Sequence, residues 1–139
     1  MMEAAANAMA KLTLSPLLTA VTTLTSLNDK FLAEIGVTDG TKLHTLRLAK
    51  LAESCGLNGV VCSPHEILSI KREVTENFMI VTPGVRPTGS EMNDQIRVAT
   101  PGEAMERGAH HLVIGRPITG AQDSHKALIE INSTCTSSS

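Results

Sequence analysis

The sequence predicts an α/β fold in which one helix is followed by four βα units. Three observations predict it. Short apolar runs rich in β-branched residues recur at Leu17–Leu24, Gly59–Cys62, Phe78–Thr82 and His111–Gly115. Longer segments with helical spacing separate them and close on Gly36, Gly56 and Gly108. The first run carries apolar and β-branched residues without polar alternation, the pattern of a strand covered on both faces in a parallel sheet. Strands alternating with helices imply right-handed crossovers between parallel neighbours.

The elements follow in order. Residues 2–11 (MEAAANAMAK) are strong helix formers, and Pro16 ends that segment. Met1–Ala10 is small and apolar, but Glu3 is its first charge and no basic stretch precedes it, so it reads as an amphipathic helix and not a signal peptide. After the first strand, Ser26 is the expected cap of a short helix carrying Phe31, Leu32 and Ile35 on one face. A second helix is expected from Thr41 to Cys55, with Leu43, Leu46 and Leu51 at helical spacing. Ser63-Pro-His-Glu66 reads as a capping box opening a helix with Ile67, Leu68 and Ile70, and Thr100-Pro-Gly-Glu103 as another. A long Gly/Pro/polar loop joins Pro83 to Thr100. The last helix is expected over Asp123–Ile131, and the Ser/Thr-rich segment 133–139 as a disordered tail after a domain of residues 1–132. Two architectures fit this order: a small open sheet, or half of an eight-stranded βα barrel. No Gly-x-Gly-x-x-Gly follows a strand, so a dinucleotide fold has no support.

Composition narrows the function. With 42% apolar residues but no Trp or Tyr, the core must be aliphatic. A net charge of −2 argues against nucleic-acid or membrane-surface partners. No apolar run approaches the roughly 20 residues of a membrane span. Cys55, Cys62 and Cys135 are odd in number and match no zinc spacing, which favours a reduced, cytoplasmic protein without a metal site.

In parallel α/β folds ligands bind at the carboxyl ends of strands. Arg86 leaves the third strand there and Arg116 the fourth. A guanidinium offers a planar fork of donors to phosphate oxygens, and Gly115 before Arg116 permits close backbone approach. Both arginines are therefore candidate phosphate ligands; surface salt bridges are the plain alternative. The loop from Pro83 to Thr100 is long for a βα connection, as lids are, and its Gln95 has an amide able to reach a phosphate or a base. His110 and His111 precede a strand at its amino end and read as solvent-exposed. His65, in the first turn of the helix after the second strand, could face the pocket, although a place outside it is the favoured reading, and Cys62 is read as a small core residue. Ser26 and Ser63 lack a neighbouring base, and helix capping accounts for both.

These residues carry a resemblance. Thr82-Pro-Gly-Val-Arg-Pro-Thr-Gly-Ser-Glu with Asp94-Gln95, followed by Val113-Ile-Gly-Arg-Pro-Ile118, resembles the C-terminal signature of the orotidine 5′-phosphate decarboxylases. Ala20-Val-Thr-Thr-Leu-Thr-Ser26 and Cys55-Gly-Leu-Asn-Gly-Val-Val-Cys-Ser63 resemble that family's fifth and sixth strand regions. The resemblance implies the C-terminal half of a (βα)8 TIM barrel. The family is homodimeric and releases CO2 from orotidine 5′-phosphate to give UMP, with no metal or organic cofactor. Carried over, Thr25 sits beside the nucleotide and Arg86 belongs to the phosphate-facing loop. Gln95 reaches over the ligand, and Gly115 and Arg116 hold the phosphate.

The family's chemistry rests on an Asp-x-Lys-x-x-Asp run with a further Asp and Lys from earlier strands. This sequence holds no Asp-x-Lys; Asp29-Lys30 are adjacent, on a helix, and cannot stand in. The resemblance thus implies the nucleotide-gripping half of a site without catalytic residues, expected to be inactive alone. Such a half barrel is expected to associate, with a second copy or with an N-terminal half, because its outer strands are unpaired edges. A non-catalytic phosphate-binding or assembly module, and a truncated fragment, are the alternatives. A sugar-phosphate decarboxylase of the same superfamily would account for Gly115-Arg116 but not for the Pro-Gly-x-Arg-Pro loop.

Overall fold

Four strands pair in parallel in the order β1-β2-β3-β4, as the alternating pattern predicts. A computed structural model describes residues 1–87 and 99–136. Helix α1 (Met2–Met9) precedes β1 (Thr19–Val21); α2 (Asp29–Glu34) and α3 (Gly40–Ser54) lead to β2 (Gly59–Val61). Then come α4 (Ile67–Lys71), β3 (Met79–Pro83), α5 (Pro101–Glu106), β4 (His111–Val113), α6 (Arg116–Thr119) and α7 (Ser124–Thr136).

The two faces of the sheet differ. Val60, Cys62 and Ile80 pack with Ala49, Ala52, Ile67 and Ile70 in one core. Each large aliphatic side chain sealed this way is worth about 1.5–3 kcal/mol. Residues one step along the strands point the other way, because side chains alternate. Val21, 59% exposed, and Val113, 54% exposed, lie on that second face of the two outer strands. The first strand is therefore not covered on both sides as its sequence suggested.

Local chemistry departs from expectation in several places. Helix α2 is capped by Asn28, whose side chain accepts from the Phe31 amide, and not by Ser26. Of its predicted apolar face only Leu32 is buried; Phe31 and Ile35 are exposed. On α3 the buried face is Thr45, Ala49 and Ala52, while Leu43 and Leu51 lie outside. Small side chains let that helix sit close to the strands, which leucines would prevent. Ser63-Pro-His-Glu66 forms a turn: the Ser63 hydroxyl accepts from the His65 amide at 3.3 Å, and α4 starts after Glu66 without a side-chain cap. Thr100 and Glu103 do form the predicted capping box. Helix α7 continues through Ser133–Thr136, into the segment expected to be disordered.

One glycine is fixed by close approach. A Cβ on Gly59 would lie 2.3 Å from the Met79 carbonyl oxygen and 2.7 Å from its Cβ. Gly59→Ala must separate β2 from β3, and should cost about 1–3 kcal/mol in urea unfolding. A change within about 0.5 kcal/mol, as at an ordinary surface position, would show that the contact relaxes freely.

Candidate functional site at the carboxyl ends of the strands

The chain leaves β1 under tight control. Thr22 donates its amide and its hydroxyl to the Val61 carbonyl, at 3.1 and 2.7 Å. The Thr45 hydroxyl on α3 donates to the Thr23 hydroxyl at 2.7 Å. The turn that follows closes with a 3.0 Å bond from the Leu27 amide to the Leu24 carbonyl. Thr25 is thereby held, exposed, at the carboxyl end of the sheet.

There it lines a cleft of about 800 Å³. The exits of β1, β2 and β3 supply the walls: Thr23 and Thr25 from the first, Ser63 and His65 from the second, Gly84 from the third. The start of α2 adds Asp29 and Lys30. Asp29 accepts from the Thr41 amide at 2.7 Å, which ties α2 to the first turn of α3. That bond, with a contribution from the Thr41 side chain, holds the Asp29 carboxyl below its ordinary value. Sequence reasoning placed Thr25 here and held a pocket position for His65 only as the less favoured reading, but missed Asp29 and Lys30 as cleft residues. Their meeting depends on three loops converging, and no local pattern encodes that.

Arg86 and Arg116 lie at the same end of the sheet but not among the cleft's lining residues. Arg86 lies near the start of the expected long loop, whose residues 88–98 are outside the described residues. Its amide donates to the Ala99 carbonyl at 3.0 Å, and its guanidinium reaches the Val85 carbonyl at 3.2 Å. Val85 and Ala99 pair as a bridge, which joins the chain on either side of that segment. Gly115 caps α6, and Arg116 is that helix's first residue and exposed. A Cβ on Gly115 would meet nothing within 4 Å, so neither packing nor a positive φ demands glycine there. Among the described residues neither arginine pairs with a carboxylate. Gln95 lies outside the described residues.

The remaining candidates sort plainly. Burial, then the nearby Glu66, pushes the Cys62 thiol up to about 12, which leaves it an inert core residue. All three cysteines are free. Among the described residues no three His, Cys, Asp or Glu side chains gather as around a metal ion, and no helix is long and apolar enough to cross a membrane.

Sequential parallel strands, helices on one face and a cleft at the carboxyl strand ends define a βα-barrel type of protein. Residues 1–131 match a family model described as the orotidine 5′-phosphate decarboxylase / HUMPS family. Curated orotidine 5′-phosphate decarboxylases from Hydrogenovibrio crunogenus and Marinomonas sp. are 49% and 50% identical to the chain, over 96% and 95% of it. The crystal structure of orotidine 5′-phosphate decarboxylase from Lactobacillus acidophilus superposes with a TM-score of 0.83 at 34% identity, covering 99% of this chain and 58% of that one. The chain belongs to the orotidine 5′-phosphate decarboxylase family, and its strands correspond to part of that family's TIM barrel. It spans 57% of the length of those two curated relatives.

Asp29 gives a test of how the cleft is held. With its folded value depressed, the Asp29 contribution is present above the ordinary aspartate range and is lost as pH falls through the folded value. Carboxyl NMR should place its midpoint below that of a free aspartate. Asp29→Ala should speed exchange of the Thr41 amide while Asp29→Asn, which keeps an acceptor, largely spares it. Equal exchange in both variants would remove Asp29 from this role.

Proposed function

We propose that this chain supplies the phosphate- and nucleotide-gripping part of an orotidine 5′-phosphate decarboxylase site, in the step that turns orotidine 5′-phosphate into UMP and CO2. Family membership over nearly the whole chain carries this reading. The pair Arg86 and Gly115-Arg116 at adjacent strand exits, unengaged by carboxylates among the described residues, supports it. In this reading Arg86 and Arg116 hold the phosphate, with the Gly115 backbone close to it. Thr25 borders the nucleotide and Gln95 reaches over it. Homodimerisation, a cytoplasmic location and freedom from metal or organic cofactors belong to the same reading.

The chemistry itself is assigned elsewhere. Decarboxylation leaves carbanion character on the pyrimidine ring, and a nearby ammonium must stabilise and protonate it. The chain's one adjacent Asp-Lys pair, Asp29-Lys30, opens α2, and no Asp-x-Lys occurs. Grip on a remote phosphate accelerates reaction only when the reacting end is also held.

The purified chain should therefore show no turnover of orotidine 5′-phosphate, yet be stabilised by UMP. At a ligand excess of about a hundredfold over Kd the stabilisation should be about 2.7 kcal/mol. Ribose 5-phosphate should stabilise less. Arg116→Ala removes charge-assisted bonds worth about 1.5–3 kcal/mol, and should weaken UMP binding roughly 10- to 100-fold. Turnover by the chain alone would overturn the division of labour, and indifference to UMP would overturn the grip.

A further inference from the structure

We propose that His110 is an acid-released latch: its neutral ring pins the amino end of β4 to β3, and a proton on the ring frees that strand. Ile80 is fully buried, so its main-chain groups need protein partners. Both find them on one residue. The Ile80 amide donates to Nδ1 of His110 at 3.0 Å, and the Ile80 carbonyl accepts from the His110 amide at 2.9 Å. A ring nitrogen accepts only without a proton, so this geometry requires the neutral imidazole with hydrogen on Nε2. Protonation sets N–H against N–H and abolishes the bond. The loss falls on a strand of three residues that occupies an edge of the sheet and pairs with β3.

The surroundings act in the same direction. Partial desolvation of the ring, then Lys71 at the end of α4, then His111 on β4, disfavour the charged form and lower the value for His110, whose residue as a whole is exposed. Arg107, at the end of α5, is engaged with the Pro64 carbonyl at 3.3 Å. Because the folded chain binds this proton less readily than the unfolded chain, the contribution is intact above the ordinary histidine value of 6.5. It is lost as pH falls through the lower folded value. Beyond its carboxyl end β4 runs into Gly115 and Arg116, so the latch also secures the strand that carries them.

The sheet contains its own control. At the amino end of β1, the Asn58 side chain accepts from the Leu18 amide at 2.8 Å, the same device built from a group that does not titrate. Amide exchange in the wild-type chain, followed by NMR between about pH 8 and about pH 5, compares the two. Ile80 protection should fall, by at most about tenfold per pH unit, as pH drops from the ordinary histidine value of 6.5 to the His110 midpoint and level off below it, while Leu18 protection holds. His110→Asn should remove the acid-side loss at Ile80; if that variant does not fold, the Ile80–Leu18 comparison decides alone. Ile80 protection that tracks Leu18 throughout, or a His110 midpoint at or above the ordinary histidine value, would overturn the latch.

Discussion

The close seat of α3 on β1 and β2 is the contact on which the rest depends. It is made by what α3 lacks: Ala49 and Ala52 face the sheet with side chains one carbon long, and Thr45 adds a hydroxyl that bonds to Thr23. With the helix that near, Val60 and Ile80 are sealed on one side, and the strands take a fixed register. From that register follow the exits of β1, β2 and β3, and hence the walls of the cleft. The amino ends of the strands are held by different means. Asn58 and His110 lend side-chain acceptors to main-chain amides where the ladders run out. One end of the sheet is thus zipped for stability, and the other is left to converging loops.

The same layering explains what was legible in the sequence. Strands and their order could be read because apolar runs and terminating glycines are local signals, and Gly36, Gly56 and Gly108 do adopt positive φ at helix ends. Arg86 and Arg116 could be picked out because a residue just past a strand is positioned by the strand itself. The errors have a common cause. Leu43 and Leu51 fit a helical stripe, but the side that packs is chosen by how near the sheet can come, and alanines win that competition. Ser26 and Ser63 have capping chemistry, yet the helices begin later because the chain first completes turns closed by the Leu27 and Glu66 amides. Thr100 caps as expected because its box is self-contained: Glu103 returns a bond to the Thr100 amide at 2.9 Å.

The cleft was the least legible part. Thr25 was found through a resemblance of motif, whereas Asp29, Lys30 and His65 join it only because α2, α3 and the β2–α4 turn meet in space. A carboxylate, an ammonium and an imidazole around one cleft give it a mixed charge. The arginines on the exits of β3 and β4 make the neighbouring rim positive. The two zones adjoin at the third strand, where Gly84 lines the cleft and Arg86 stands two residues on.

The bridge between Val85 and Ala99 has a consequence for how such a protein can change. Both residues are buried and the chain departs and returns at one point, so the two sides of the intervening stretch are fixed together. Its length is nearly decoupled from the sheet, since doubling a closed loop costs only about 0.6 kcal/mol of chain entropy. Variation in the number of residues between Val85 and Ala99 can therefore accumulate while β3 and α5 keep their places. The fold confines evolutionary experiment to a segment whose failures leave the barrel strands intact.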